Sequence, residues 1–236
     1  KIEIVRSGEV IPKFLSVKEQ SSKAYEVPTN CPSCKTLLKE EDIRLICENK
    51  YCPERKLEEV TYFVQKIGID DLSRKRIGEM VNANLIGDVS DLYKITIDQL
   101  LALDKTKEKM ANKIHANIEK TKKVDLIVFL TSLGISGGGY NKCEKIVFSG
   151  FNSIEKITLI TVDQLREIEG FAEKSSNEFY HSLNSKMKLI TNLLRVGLEP
   201  KSNIEVQKSS ITGLKFCITG SLNRKRSEIE KDIKTN

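Results

Sequence analysis

Four of the six cysteines lie close together, and this cluster constrains the fold more than any other feature of the sequence. The spacing is Cys31-x2-Cys34, then twelve residues, then Cys47-x4-Cys52. Two short-spaced pairs joined by a loop of this size allow four thiolates to converge on one Zn²⁺. Four thiolates fill a tetrahedral coordination sphere, so the spacing predicts a structural zinc ion. The alternative, four unligated buried thiols, is disfavoured because this segment has few large apolar groups to fold around.

The composition sets limits on the class of protein. The 236 residues carry 39 Lys and Arg against 33 Asp and Glu, a net charge of +6, which favours a polyanionic partner without proving one. The sequence has no apolar run long enough for a membrane span and no signal-peptide pattern at its start. Clustered thiols in a Lys- and Glu-rich chain of this kind indicate a reducing compartment. We therefore expect a cytoplasmic protein, monomeric and without a membrane partner.

Changes of pattern along the chain divide it into five segments. Residues 1–22 predict two short strands, too few to bury a core and hence the end of a larger β domain. Residues 27–57 hold the cysteine module, and residues 58–199 show the apolar spacing of many short helices. Residues 200–210 have a linker composition, and residues 211–236 predict one strand and then a helix from about Arg226. Both ends of the chain are thus expected to be incomplete.

Four turns between the predicted helices are candidate phosphate-binding hairpins. A glycine in such a turn lets the backbone approach a phosphate closely, and the N–H groups that begin the second helix point at the phosphate. A single turn of this kind is more often a plain helix C-cap, but four at similar spacing favour nucleic-acid binding. The four turns are Asp71-Leu72-Ser73, Lys105-Thr106-Lys107, residues 134–139 before a helix from Tyr140, and residues 168–174 before a helix from Glu173.

Lysines at positions 105, 107, 109, 113, 120, 122 and 123 form a cationic run beside the second turn. The run indicates either electrostatic contact with DNA or a solvated helix face. The two isolated cysteines, Cys143 and Cys217, are expected to be small core residues.

The order of these parts resembles the NAD-dependent DNA ligases. In that family an oligonucleotide-binding (OB) barrel, a four-cysteine zinc finger, a domain of four helix-hairpin-helix units and a BRCT domain follow one another. The matching stretches are Arg6-Ser7-Gly8-Glu9-Val10-Ile11-Pro12, Cys31-Pro32-Ser33-Cys34, DLYKIT (91–96), EKMANKI (108–114), SLGI (132–135) and LKFCITGSL (214–222). The resemblance therefore implies a mainly α chain that ends at the start of a BRCT domain. It places the NAD and Mg²⁺ sites in a nucleotidyltransferase domain upstream.

The sequence also departs from the family pattern. The family has Gly-x-Gly in its first two hairpins, whereas this chain has Asp71-Leu72-Ser73 and Lys105-Thr106-Lys107; the fourth hairpin has Ala172 at the second glycine. The nucleophile motif Lys-x-Asp-Gly does not occur in the sequence. The DNA-binding residues expected on this basis are Arg6, Lys105, Lys107, Gly137, Gly138, Gly139, Gly170 and Ala172.

The resemblance implies that this chain grips nicked duplex DNA, without reading its sequence, for an enzyme that joins a 3′-hydroxyl to a 5′-phosphate in replication and repair. We expect the chain to be inactive by itself. The main alternative is a non-enzymatic DNA-repair or recombination adaptor built from zinc and hairpin modules. A scaffold organised by the BRCT segment is a weaker third interpretation.

Overall fold

The chain divides into two units, Lys1–Cys52 and Pro53–Asn236. The structure, a computed structural model, describes residues 1–8, 11–23, 26–202, 216–219, 223–224, 228–229 and 232–233. The described part of the chain is mainly helical, with three small two-stranded sheets, as the sequence pattern predicted.

The first unit consists of two β-hairpins and the loops around them. Strands β1 (Ile2–Ser7) and β2 (Ile11–Val17) pair antiparallel, which confirms the two predicted strands. Strands β3 (Lys39–Glu41) and β4 (Arg44–Ile46) pair in the same way. Apolar and polar residues alternate at the start of β1, but the apolar ones are not buried, since Ile2 and Ile4 are both more than half exposed. The first hairpin therefore has no core of its own within this unit, because a lone two-stranded hairpin has no second layer to cover it.

Short amphipathic helices build the second unit. They are α1 (Pro53–Ile67), α2 (Arg74–Asn82), a 3₁₀-helix (Val89–Lys94), α3 (Ile97–Leu101), α4 (Glu108–Lys120), α5 (Leu126–Ser132), α6 (Tyr140–Phe148), α7 (Ile154–Thr158), α8 (Val162–Arg166), α9 (Glu173–Ser185) and α10 (Met187–Arg195). Helices α6 and α9 begin where the sequence predicted. Helix α1 begins at Pro53, five residues before the predicted helical segment, because proline suits the first helical position and Glu54 follows it in the first turn.

One continuous apolar core joins these helices. Its largest fully buried side chains include Phe63 of α1, Phe129 of α5 and Phe179 of α9. A short parallel sheet connects the middle and the end of the helical array, since β5 (Lys123–Asp125) pairs with β6 (Glu199–Lys201). Strand β6 runs into the predicted linker 200–210, because buried Leu198 anchors the chain there. Residues 203–210 of that linker lie outside the described part.

The last segment is described only at a few positions. Residues 216–219 form no strand, and Cys217 is exposed, so the expectation that Cys217 is a core residue is wrong. Cys143 is fully buried on α6, as expected. Residues 228–229 and 232–233 are helical, in agreement with a helix after Arg226. The rest of the predicted segment 211–236 lies outside the described residues.

Across the described helices, none has the length and apolar character that crossing a membrane requires.

The helical unit contains the same arrangement twice. Thr96 caps α3 in a reciprocal capping box with Gln99, and Thr161 caps α8 in the same way with Gln164. Each of these short helices leads through a turn into a helix of 13 residues, α4 or α9, that begins with glutamate. Sequence analysis missed this duplication, although the signal is present in TIDQL at 96–100 and TVDQL at 161–165.

Candidate metal centre and nucleic-acid interface

The four clustered cysteines converge as their spacing predicted. The Sγ atoms of Cys31 and Cys52 are 3.9 Å apart, those of Cys34 and Cys47 are 3.5 Å apart, and all four lie within 4.8 Å of one another. Four sulfurs at about 2.3 Å from a tetrahedral Zn²⁺ lie about 3.8 Å from each other. The donor set and its geometry therefore fit one zinc ion with no position left for water.

Two tight backbone turns present these thiols. In the first, the Cys31 N–H donates to Thr36 O (2.8 Å) and the Lys35 N–H donates to Cys31 O (2.9 Å), with Lys35 at a φ of 61°. In the second, the Cys52 N–H donates to Asn49 O at 3.1 Å. The hairpin of β3 and β4 joins the two turns. The position of each sulfur is thus set by the backbone and not by the packing of apolar side chains.

The environment of the thiols favours a bound cation. A hydrogen bond with the Thr36 hydroxyl lowers the pKa of Cys34 to about 5, so this residue is a thiolate at neutral pH. The pKa of Cys47 is raised to about 12. The Asn49 N–H opposes this shift, but burial and the three neighbouring thiols outweigh it. A divalent cation among the sulfurs would offset the repulsion between neighbouring thiolates and would let all four thiols ionise.

The four predicted turns share one backbone conformation. Each has a residue at positive φ two positions before the N-cap of the next helix: Asp71 (63°), Lys105 (51°), Gly137 (70°) and Gly170 (90°). In each turn a buried apolar residue stands two positions earlier, namely Ile69, Leu103, Ile135 and Ile168. The first two turns therefore follow the same backbone path as the third and fourth, although they lack glycine.

The turns differ at the N-cap. In the first turn the Ser73 hydroxyl accepts a hydrogen bond from the Arg76 N–H at 3.4 Å. The N-cap residues of the other three turns, Lys107, Gly139 and Ala172, form no such side-chain bond in the described structure. The first N–H groups of a helix lack partners within the helix. Other acceptors take one early N–H group in each of these three turns: Lys107 O accepts from Met110 N–H, Gly139 O accepts from Lys142 N–H, and Ser175 Oγ accepts from Ala172 N–H. The turns therefore differ in what caps the helix start, and each leaves a similar set of N–H groups to an external acceptor.

The turns pack in pairs, each against the second helix of its partner hairpin. The first turn lies on α4, where Lys113 Nζ is 2.9 Å from the Asp71 carboxylate and Asn117 Nδ2 donates to Asp70 O at 3.1 Å. The third turn lies on α9 in the same register, and the Ser136 N–H donates to Ser182 Oγ at 2.9 Å. Asn117 and Ser182 occupy equivalent positions in the two long helices.

The packing is reciprocal. The fourth turn lies on α6, where Lys145 Nζ is 3.4 Å from the point that a Cβ on Gly170 would occupy. Lys142 Nζ lies 4.6 Å from the centre of the Phe171 ring in the same turn. In the first pair, Lys75 of α2 faces Asp104 of the second turn at 3.9 Å. The structure thus brings the third and fourth turns together in one pair and the first and second in another.

The structure separates the roles of the predicted glycines. A Cβ on Gly138 would lie 2.9 Å from Phe179 Cε2 and 3.0 Å from Ile135 O, so this glycine is required for packing. Gly139 has no atom within 4 Å of such a Cβ and faces open space. Arg6 lies on β1 opposite Pro12 in the first unit, and its predicted contact with DNA stays a prediction.

Sequence reasoning missed two residues at the fourth turn, Lys142 and Lys145. They stand three positions apart on α6, within the hairpin that precedes the turn. The repeated sequences of α3 and α8 could have indicated them, because a duplicated helix pattern implies that the hairpins form pairs.

Comparison with known proteins identifies relatives over nearly the whole chain. No protein-family model matches it. A DNA ligase of Brachyspira hyodysenteriae is 32% identical over 94% of this chain and 35% of its own length. A DNA ligase of Aliarcobacter butzleri is 30% identical over 98% of the chain and 36% of its own length, and DNA ligase 1 of Clostridium acetobutylicum is 30% identical over 100% and 37%. The chain spans about a third of the length of these relatives. It fits the C-terminal portion of a bacterial DNA ligase.

Proposed function

We propose that this chain is the DNA-holding part of an NAD-dependent DNA ligase, which seals a nick between a 3′-hydroxyl and a 5′-phosphate in duplex DNA. The support comes from relatives named DNA ligase, which match nearly the whole chain. On this proposal residues 1–22 belong to an OB domain and residues 211–236 to a BRCT domain. The adenylation chemistry, with its NAD and Mg²⁺ sites, belongs on this proposal to an upstream domain. The chain acts as a monomer in a reducing cytosol.

The observation that carries this proposal is the common geometry of the four turns. Each combines a positive φ with the start of a helix, and in three of them the side chain of the N-cap residue itself forms no capping bond in the described structure. Backbone N–H groups of this kind bind phosphate without reading bases. The third and fourth turns, with Gly137, Gly139, Gly170 and Ala172, carry most of the phosphate contact. Lys105 and Lys107 add a salt-sensitive attraction at the second turn.

Zinc has a structural role in this proposal. Cys31, Cys34, Cys47 and Cys52 hold one Zn²⁺, which supplies the cross-link that the small first unit otherwise lacks. The ion has no open coordination position and takes no part in joining DNA.

The same substitution at the equivalent N-cap position of three turns tests the proposal. We expect Gly139→Val and Ala172→Val to weaken the binding of a short nicked duplex by about ten-fold each, because the branched side chain obstructs the phosphate and weakens its hydrogen bonds to the helix N–H groups. The salt dependence of binding should stay nearly unchanged, since no cation is removed. Ser73→Val in the first turn serves as the matched control and should bind as the wild type does. Fluorescence anisotropy at 50 and 200 mM salt measures the affinities, and circular dichroism confirms folding.

Two results would contradict this assignment. One is an equal loss of affinity in the Ser73→Val variant, which would mean that the first turn contacts DNA as much as the third. The other is failure of the wild-type chain to bind duplex DNA at low salt. Gly138 is unsuitable as a probe because its substitution disturbs the packing against Phe179.

A further inference from the structure

We propose that Lys145, assisted by Lys142, completes the phosphate site of the fourth turn from the neighbouring third hairpin. This inference rests on the proposed function, since it assigns additional phosphate contacts to the same surface. It makes the third and fourth hairpins one composite site in which one hairpin supplies backbone N–H groups and the other supplies cations.

The position of Lys145 is the first argument. Its ammonium group lies 3.4 Å from where a Cβ on Gly170 would stand, so it lies directly beside the turn. Gly170 also has a φ of 90°, a conformation that side-chain-bearing residues rarely adopt. The glycine therefore permits the turn, and Lys145 reaches it from the neighbouring hairpin. A phosphate bound at the turn would meet N–H groups and the Lys145 charge together.

The contacts that hold the two lysines are weak and leave their charge available. Lys145 pairs with Glu169 at 3.6 Å, but the glutamate side chain is 83% exposed. An exposed ion pair of this kind contributes little to folding. Lys142 lies over the Phe171 ring, which positions the ammonium group beside the turn and leaves its charge unneutralised. Glu173, which begins α9, is paired with Arg166 at 2.9 Å, so this acid is balanced by a cation.

In the other pair of hairpins a lysine also faces the later turn, but from a different helix position. Lys75 of α2 lies 3.9 Å from Asp104 of the second turn, and Asp104 is the counterpart of Glu169. Lys75 is the second residue of α2, whereas Lys145 is the sixth residue of α6. In both pairs the second helix of the earlier hairpin thus brings a lysine to an acidic residue in the later turn.

Charge-removing variants test the assignment by their salt dependence. A phosphate-contacting lysine contributes about one released counterion, so the slope of log K against log salt should fall by about 0.9 in Lys145→Gln. Its loss of affinity should then be about three-fold larger at 50 mM than at 200 mM salt. Lys142→Gln should show the same direction, and Lys145→Arg should restore the wild-type slope. Lys188→Gln, an exposed lysine on α10, is the control for the change in net charge.

A second variant gives a result of opposite sign. Glu169→Gln frees Lys145 from its carboxylate partner and should strengthen duplex binding, whereas it should have no such effect in the Lys145→Gln background. If Lys145→Gln and Lys188→Gln change the salt slope equally, the assignment of Lys145 is wrong although DNA binding stands. If the wild-type chain itself does not bind duplex DNA, the proposed function fails first, and the two failures are thus distinguished.

Discussion

Asp71 shows how a turn keeps the geometry of a glycine turn without glycine. Aspartate is one of the few residues that adopt a positive φ at moderate cost. Its carboxylate is held by Lys113 and by Asn117, both on α4. The side chain that replaces glycine has thereby become a contact between two hairpins. The first turn connects the hairpins, and its role in the proposed DNA contact is correspondingly small.

Removing the charge of Asp71 should give a pH-dependent loss of stability. The hydrogen bond from Lys113 lowers the pKa of Asp71 below its ordinary value of 3.8. Because the pKa is lower in the folded state, the ionised Asp71 stabilises the fold at pH values above 3.8. This stabilisation is lost as the pH falls through the pKa that Asp71 has in the folded protein. Asp71→Asn keeps the tolerance for positive φ. We expect a lower Tm than wild type at pH 6, and convergence of the two Tm values as the pH falls below the folded-state pKa of Asp71, measured by thermal melts followed at 222 nm. A difference that persists unchanged at low pH would exclude the ion pair as its cause.

At the scale of elements, the sequence predicted most of the helical unit but not its pairing. The starts of α6 and α9 follow from the residues around Tyr140 and Glu173, because helix caps and turns are local. The contact of the third turn with Ser182 joins residues far apart in the chain, and no local pattern encodes it. Proline also explains two differences from the predicted element bounds, the early start of α1 at Pro53 and the inclusion of Pro200 in β6. Proline disfavours the interior of helices and sheets, but it suits a helix start or a short edge strand.

Lys105 occupies in the second turn the position that Asp71 occupies in the first. In the described structure its side chain forms no ion pair or hydrogen bond with another hairpin. It adopts a φ of 51° in the second turn, which costs a residue other than glycine about 1 kcal/mol. Lys105→Gly should therefore raise the free energy of unfolding by up to about 1 kcal/mol while weakening duplex binding through the lost charge. Lys105→Gln loses the charge and keeps the strain, so it should weaken binding without stabilising the fold. Urea denaturation and duplex titration measure the two effects. A destabilised Lys105→Gly variant would show that the lysine side chain supports the turn.

At the scale of the whole molecule, the proposed function assigns DNA holding to the paired hairpins and places the adenylation nucleophile in another domain. No Lys-x-Asp-Gly motif occurs in the 236 residues. We expect no covalent AMP adduct after incubation of this chain with NAD and Mg²⁺, measured by intact-mass spectrometry. A full-length bacterial DNA ligase, treated identically, provides the positive control. An adduct on this chain would contradict the proposed division between DNA holding and chemistry.

Zinc removal should affect the two units unequally. In the first unit, the buried residues among those described are Cys31 and Cys52, so the thiol cluster replaces an apolar core. The second unit has a continuous core of its own. Binding of a structural Zn²⁺ contributes roughly 10 kcal/mol to folding in small modules, far more than the few apolar contacts near Cys31 can supply. The first unit should therefore depend on the ion, and the second should not.

We expect reduced protein to contain one zinc ion per chain, measured by elemental analysis, and chelation to abolish amide-exchange protection within residues 26–52. Far-UV circular dichroism should change little, because the helices lie after residue 52. Cys47→Ser should lower zinc content, whereas Cys217→Ser, an exposed thiol outside the cluster, should not. Cooperative loss of helix on chelation would show that the helical unit also depends on the metal. Unchanged exchange in residues 26–52 would show that the cysteine module folds without it.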